Sequence, residues 1–129
     1  MLRTGILNPA VLSLVARVRH TNTLVIADRG FPFWPQIETI DLSLVDDVPT
    51  VAQVLHALWP AVSIGRVFAA EEFRSHNPAT RIETLQAHLG TTPLFFEPHL
   101  EFKRRVPTAI GLIRTGDTTP YANLILESA

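Results

Sequence analysis

Two side chains able to carry protons, His20 and Asp28, stand at opposite ends of one short apolar run, Thr23-Leu-Val-Ile-Ala27. Ligands of open α/β sheets collect in the crevice outside the carboxyl ends of the strands, so a carboxylate leaving such a run into Arg29-Gly30 is placed for chemistry. An imidazole, with an ordinary pKa of about 6.5, can give or take a proton at neutral pH and suits general acid–base catalysis. His20 is nevertheless a strand length from Asp28, at roughly 3.3 Å per residue. An extended run would hold the two groups apart, to act from different sides of a ligand or from different subunits. Read alone, these residues also admit a plainer account, in which Asp28 shapes a turn and His20 closes the preceding helix.

Other candidates carry weaker signals. His99 follows the short apolar run Leu94-Phe95-Phe96 and takes a second crevice position. Glu71-Glu72 could be a catalytic carboxylate pair, but acids at a helix start answer the macrodipole equally well. His56 falls off the apolar stripe of its helix, the dipole accounts for His88 near a helix end, and nothing singles out His76. The segment Phe31-Pro-Phe-Trp-Pro35 fixes three aromatics in a loop that two prolines keep from being helical. Those rings face another subunit, the protein's own core, or a ligand such as a sugar.

The composition narrows the classes of function. Among 129 residues, 47% are hydrophobic and 18% charged, enough apolar material for a core in one domain spanning 1–129 and for surface buried between subunits. A net charge of −1 with scattered cations gives no footprint for nucleic acid or an anionic membrane, and Lys103-Arg104-Arg105 reads as a solvated helix face. There is no cysteine, hence no disulfide framework, thiolate nucleophile or cysteine-based zinc site. No paired-histidine metal motif and no glycine-rich phosphate loop occurs, so neither a metal nor a nucleotide cofactor is expected. The start Met-Leu-Arg-Thr-Gly leads into a capped helix without an apolar leader, and no run is long enough to span a membrane, which gives the expectation of a cytoplasmic protein.

The elements that must position these residues follow from periodicity and punctuation. Asn8-Pro9 starts a helix with Val11, Leu14, Val15 and Val18 on one stripe, and Arg17 and Arg19 fall near its last turn. Thr23–Ala27 reads as a buried strand and Ile37–Leu42 as a short one. Pro49 opens a helix carrying Val51, Val54, Leu55 and Leu58, and Pro60 ends it. Ser63–Ala70 is a strand, Asn77-Pro78 starts a helix that Gly90 terminates, and Leu94–Phe96 is a strand before the amphipathic stretch Leu100–Arg105. Thr108–Arg114 reads as a strand, Thr115–Pro120 as a polar turn-rich loop, and Leu124–Leu126 as the final strand. Helices alternating with strands give an α/β fold, a three-layer α/β/α sandwich with a largely parallel sheet.

Several motifs taken together carry a resemblance. Gly5-Ile-Leu-Asn8, Arg19-His20-Thr21, Ile26-Ala-Asp28, Ile40-Asp41-Leu-Ser43, Ala70-Glu-Glu72, His99-Leu-Glu-Phe-Lys103 and Ile113-Arg-Thr-Gly116 with Pro120-Tyr-Ala-Asn123 resemble the D-ribose pyranase family, in order and nearly end to end. That family is similar in fold to the L-fucose mutarotases. The resemblance implies a cofactor-independent isomerase that interconverts pyranose and furanose ribose, with His20 as the acid/base residue and Asp28, His99, Tyr121 and Asn123 binding sugar. It also implies a ring-shaped homo-oligomer, typically a decamer. The sequence departs from the family pattern at Asn22, where an aspartate is usual, and at Arg29 and Phe31 within Asp28-Arg-Gly-Phe-Pro32. It stops at Glu127-Ser-Ala129, where the pattern runs on, so ring contacts are expected to differ there. An L-fucose or other sugar mutarotase and a non-catalytic sugar-binding or transport-accessory protein are the alternatives.

Overall fold

The computed structural model describes residues 1–129. Its elements, in chain order, are α1 (Pro9–Val15), β1 (Thr23–Ala27), β2 (Glu38–Asp41), α2 (Val51–Leu58), β3 (Ile64–Ala70), α3 (Glu71–His76), α4 (Ala79–Leu89), β4 (Leu94–Glu97), α5 (His99–Arg105), a 3-10 turn (Val106–Thr108), β5 (Gly111–Arg114) and β6 (Leu124–Ser128). The six strands form one sheet in the order β2-β5-β1-β6-β3-β4. β2, β5 and β1 pair in parallel, as do β3 and β4. Between these groups β6 runs antiparallel to both β1 and β3.

Side chains alternate across the sheet, and the two faces carry separate cores. Leu24, Ile26, Val67, Ala69, Ile113, Leu124 and Leu126 face α1 to α4 through Val11, Leu14, Val54, Leu55, Leu58, Phe73 and Leu89. Val25, Ala27, Phe68, Leu112 and Ile125 face α5 through Phe102 and Val106. The expected α/β/α layering and largely parallel sheet are therefore present, with four helices on one face and one on the other. β1 is apolar along most of its length because it contributes to both cores, and its last four residues are buried.

Local chemistry trims several expected boundaries. α1 stops at Val15, so Val18 lies beyond it, and Arg17 and Arg19 meet the helix end through side-chain donors. Arg17 Nε donates to the Ser13 carbonyl and Arg19 Nη1 to those of Ala16 and Val18. α2 is opened by Thr50 and Gln53 in a reciprocal capping box, with Pro49 just outside it. Asn77 does not cap α4; its Nδ2 donates to the carbonyls of Phe73 and Pro120. The stretch from Thr108 is not strand until Gly111, because a 3-10 turn containing Pro107 occupies its start. The loop 115–120, read as polar, is partly interior: Thr115 and Asp117 are buried, and Asp117 Oδ2 accepts the Val51 amide at the start of α2.

Candidate functional site

Strand direction decides which residues meet. The parallel strands end at one edge of the sheet, where β1 delivers Asp28 and β4 delivers His99 to the start of α5. Because β6 runs the other way, its beginning lies at that same edge, with Ile26 opposite Leu124. Tyr121 and Asn123, which precede β6, thus arrive beside Asp28 from a segment about a hundred residues later. Asp28, His99, Tyr121 and Asn123 line one cavity of about 220 Å³ together with Gly30, Phe31 and Pro32.

Asn123 is the structural partner of Asp28. Its Oδ1 accepts the Asp28 amide at 2.7 Å and its Nδ2 donates to Asp28 Oδ2 at 3.1 Å, while Asp28 Oδ1 accepts the Gly30 amide at 3.0 Å. Asn123 itself is 1% exposed, so its side-chain amide depends on these bonds to the half-buried Asp28, and an unmade hydrogen bond there is costly. Burial raises the Asp28 carboxyl above its ordinary value, partly opposed by the hydrogen bonds from Gly30 and Asn123. His99 moves the other way: burial lowers its proton affinity, and the nearby Lys103 cation adds to the effect. Both shifts have the same main cause, since burial disfavours the charged form of each group.

His99 is held on a fixed mount. Its amide donates to Glu72 Oε2 at 2.8 Å, which ties the start of α5 to α3. The ring stacks on Phe102 at 6.0 Å and meets Phe31 and Tyr121 edge-on at 6.0 and 5.1 Å. Its Nδ1 is buried and has no hydrogen-bond partner. Phe31 resolves one reading of the aromatic loop: it is 5% exposed and serves both the α5-side core and the cavity wall, whereas Phe33 projects outward at 70% exposure.

His20 is not in this cavity. It is exposed on the turn between α1 and β1, at the opposite edge of the sheet, and β1 alone sets about 16 Å between it and Asp28. That turn is braced: Thr21 donates to the Ser128 carbonyl, Ser128 donates to that of Asn22, and Asn22 Oδ1 accepts the Arg19 amide at 2.8 Å. Asn22 thus holds the turn that presents His20, through an oxygen that an aspartate would also supply. Arg29 does not line the cavity, and its guanidinium pairs with Asp46 at 2.6 Å on the exposed side.

Sequence reasoning did not single out Arg114, at the end of β5. Its guanidinium donates to the carbonyls of Asp28, Arg29 and Pro32 at 3.2 to 3.3 Å and so holds the strand-to-loop turn that forms one wall of the cavity. The available signal was its place in Ile113-Arg-Thr-Gly116, as a cation closing an apolar strand. Glu72 was read as a helix-start acid; its bond to the His99 amide was not legible, because it joins residues 27 apart.

Comparison with known proteins gives a consistent picture. The RbsD / FucU transport protein family matches over residues 1–129. The D-ribose pyranase of Geobacillus kaustophilus is 42% identical over 128 residues, covering 99% of this chain and 93% of that protein. A D-ribose pyranase of Escherichia coli is 35% identical over 133 residues, covering 98% and 96%. The structure of Bacillus subtilis RbsD complexed with D-ribose superimposes with a TM-score of 0.94 at 33% identity, covering 100% of this chain and 98% of that one.

Proposed function

Because the chain belongs to the RbsD / FucU transport protein family, we propose that it is a D-ribose pyranase, an isomerase interconverting the pyranose and furanose forms of ribose. The observation that carries this reading is the convergence of Asp28, His99, Tyr121 and Asn123 on one cavity. Ring interconversion passes through the open-chain aldehyde. A proton is lost from the anomeric hydroxyl and one is gained by the ring oxygen as the carbon–oxygen ring bond breaks. Closure by a different hydroxyl onto the aldehyde carbon reverses both transfers, so the reaction consumes nothing.

Asp28 is an acceptor for sugar hydroxyls, and Asn123 fixes its carboxylate from behind. His99, whose proton affinity burial lowers, orients or relays a hydroxyl proton, and Tyr121 offers a phenol and an aromatic face. His20 is the acid/base residue of this proposal, and its place at the far edge of the sheet requires a second copy to bring it to the cavity. The exposed apolar side chains of Phe33 and Leu100, at 70% and 60% exposure, rim the groove next to the cavity and suit such a contact. A ring-shaped homo-oligomer, a decamer by the family pattern, meets that requirement, and a cytoplasmic setting accords with a cysteine-free chain.

The test is magnetisation-transfer NMR on ribose, following exchange between pyranose and furanose anomeric signals. The protein accelerates exchange, and His20→Ala slows it by about 10²- to 10⁴-fold while leaving ribose affinity within a few-fold. Mixing His20→Ala with Asp28→Ala subunits restores part of the rate if the two residues meet across an interface. Ribose binding without acceleration in the parent protein would instead assign the non-catalytic sugar-binding role.

A further inference from the structure

The sugar cavity is not the roomiest in the molecule. A cavity of about 420 Å³ lies on the other face of the sheet, between α2 and α4, within the size range of small-molecule sites. The segment 119–124 divides the two spaces. Thr119, Ala122 and Leu124 line the larger one, and Tyr121 and Asn123 the smaller. The larger cavity is walled by Leu55, Phe73 and Leu85 as well, so most of its body is apolar.

Three of its six polar lining residues are gathered at the start of α4. Thr80, Arg81 and Thr84 come from the first turn and a half of that eleven-residue helix, which begins after Pro78 without a side-chain cap. Thr84 is already bonded to the Thr80 carbonyl, but Arg81 enters none of the molecule's six ion pairs. A guanidinium that makes no close ion pair, though it lies within coulombic reach of Asp47, and the positive end of a helix thus face the same opening. His88, two turns along α4 and half-buried against His56 and Trp59, also lines the cavity, and its Nε2 has no hydrogen-bond partner. Asp117 also borders the cavity, and its two carboxylate oxygens are occupied by the amides of Val51 and Thr119. Asp47, the other nearby acid, is bonded to Thr118.

We propose that this cavity is a second ligand site, for an organic anion whose charged group meets Arg81 and the start of α4 and whose apolar body lies against Leu55, Phe73 and Leu85. The inference does not depend on the sugar chemistry. Arg81 is exposed, so its substitution leaves the fold intact.

The experiment is isothermal titration of the full chain, in its native assembly, with phenyl phosphate and with inorganic phosphate. Phenyl phosphate binds once per chain, Arg81→Gln weakens it about tenfold or more, and inorganic phosphate, lacking an apolar body, binds at least about tenfold more weakly. Saturating ribose leaves the phenyl phosphate affinity unchanged. No binding up to about 10 mM, equal binding to Arg81→Gln, or displacement by ribose would each overturn the proposal, the last by placing the anion in the sugar cavity.

Discussion

Asn123→Asp isolates the contact on which the cavity beside Asp28 rests. The change is isosteric: an oxygen still accepts the Asp28 amide, but the amide donor 3.1 Å from Asp28 Oδ2 becomes a second carboxylate oxygen. Two unit charges at that separation repel by about 5 kcal/mol at an effective dielectric of 20, and partial exposure of Asp28 reduces this to about 2–5 kcal/mol. The folded pair avoids the repulsion by retaining one proton, which also remakes the hydrogen bond. The folded protein then holds that proton more tightly than the unfolded chain, whose aspartates titrate at about 3.9. Stability is therefore complete below that pH and lost as pH rises, by about 1.4 kcal/mol per unit, until the folded pair ionises. Urea unfolding at pH 4.5, 5.5, 6.5 and 7.5, at one protein concentration so that assembly contributes equally, reads this directly. The variant-minus-parent difference should widen with pH. A difference constant to within about 0.5 kcal/mol would mean that the introduced carboxylate does not face Asp28, and the account of the site would fail.

Three further outcomes follow from named contacts. Arg114→Lys removes the planar fork that holds the carbonyls of Asp28, Arg29 and Pro32, so KM for ribose should rise with kcat largely kept; steady-state exchange kinetics with an unchanged KM would refute that role. Lys103→Met removes one of the causes that lower the proton affinity of His99, although burial, the larger one, remains. The acid limb of ribose affinity against pH should therefore move to higher pH, and a fixed limb would show that neutral His99 is not what binds sugar. Gly111→Ala would set a Cβ 2.6 Å from Leu14 Cδ1, against a side chain with no exposure, and should cost about 1–3 kcal/mol in unfolding free energy; no loss would mean that α1 shifts aside freely.

What the sequence revealed depended on range. β1 was legible to the residue because a buried strand between a turn and Asp-Arg-Gly is a local pattern, and α2 because its stripe is. The start of α2 was not, since its cap is a Thr50–Gln53 exchange hidden behind a more conspicuous proline. Thr115 to Asp117 looked like solvent-exposed loop because polarity is local, whereas their burial comes from the amides of distant Val51 and the carbonyl of Ala27. Asp28, His99, Tyr121 and Asn123 were named from a family resemblance, and the reason they converge on one cavity is the reversed direction of β6, which periodicity cannot report. Spacing along β1 did foretell the separation of His20 from Asp28, because a strand has a fixed rise per residue.

The placement of β6 also bears on how the molecule is made. It is the last of the six strands in the chain, yet it stands in the interior of the sheet and is the sole ladder joining β2-β5-β1 to β3-β4. During synthesis β1 and β2 have no ladder until β5 arrives at residues 111–114, and the groups β2-β5-β1 and β3-β4 then remain unjoined, with open edges at β1 and β3, until residues 124–128 complete one sheet. Such a chain folds late and all at once, through contacts between residues as far apart as Thr23 and Glu127, and its exposed edges invite pairing with other nascent chains in the interval.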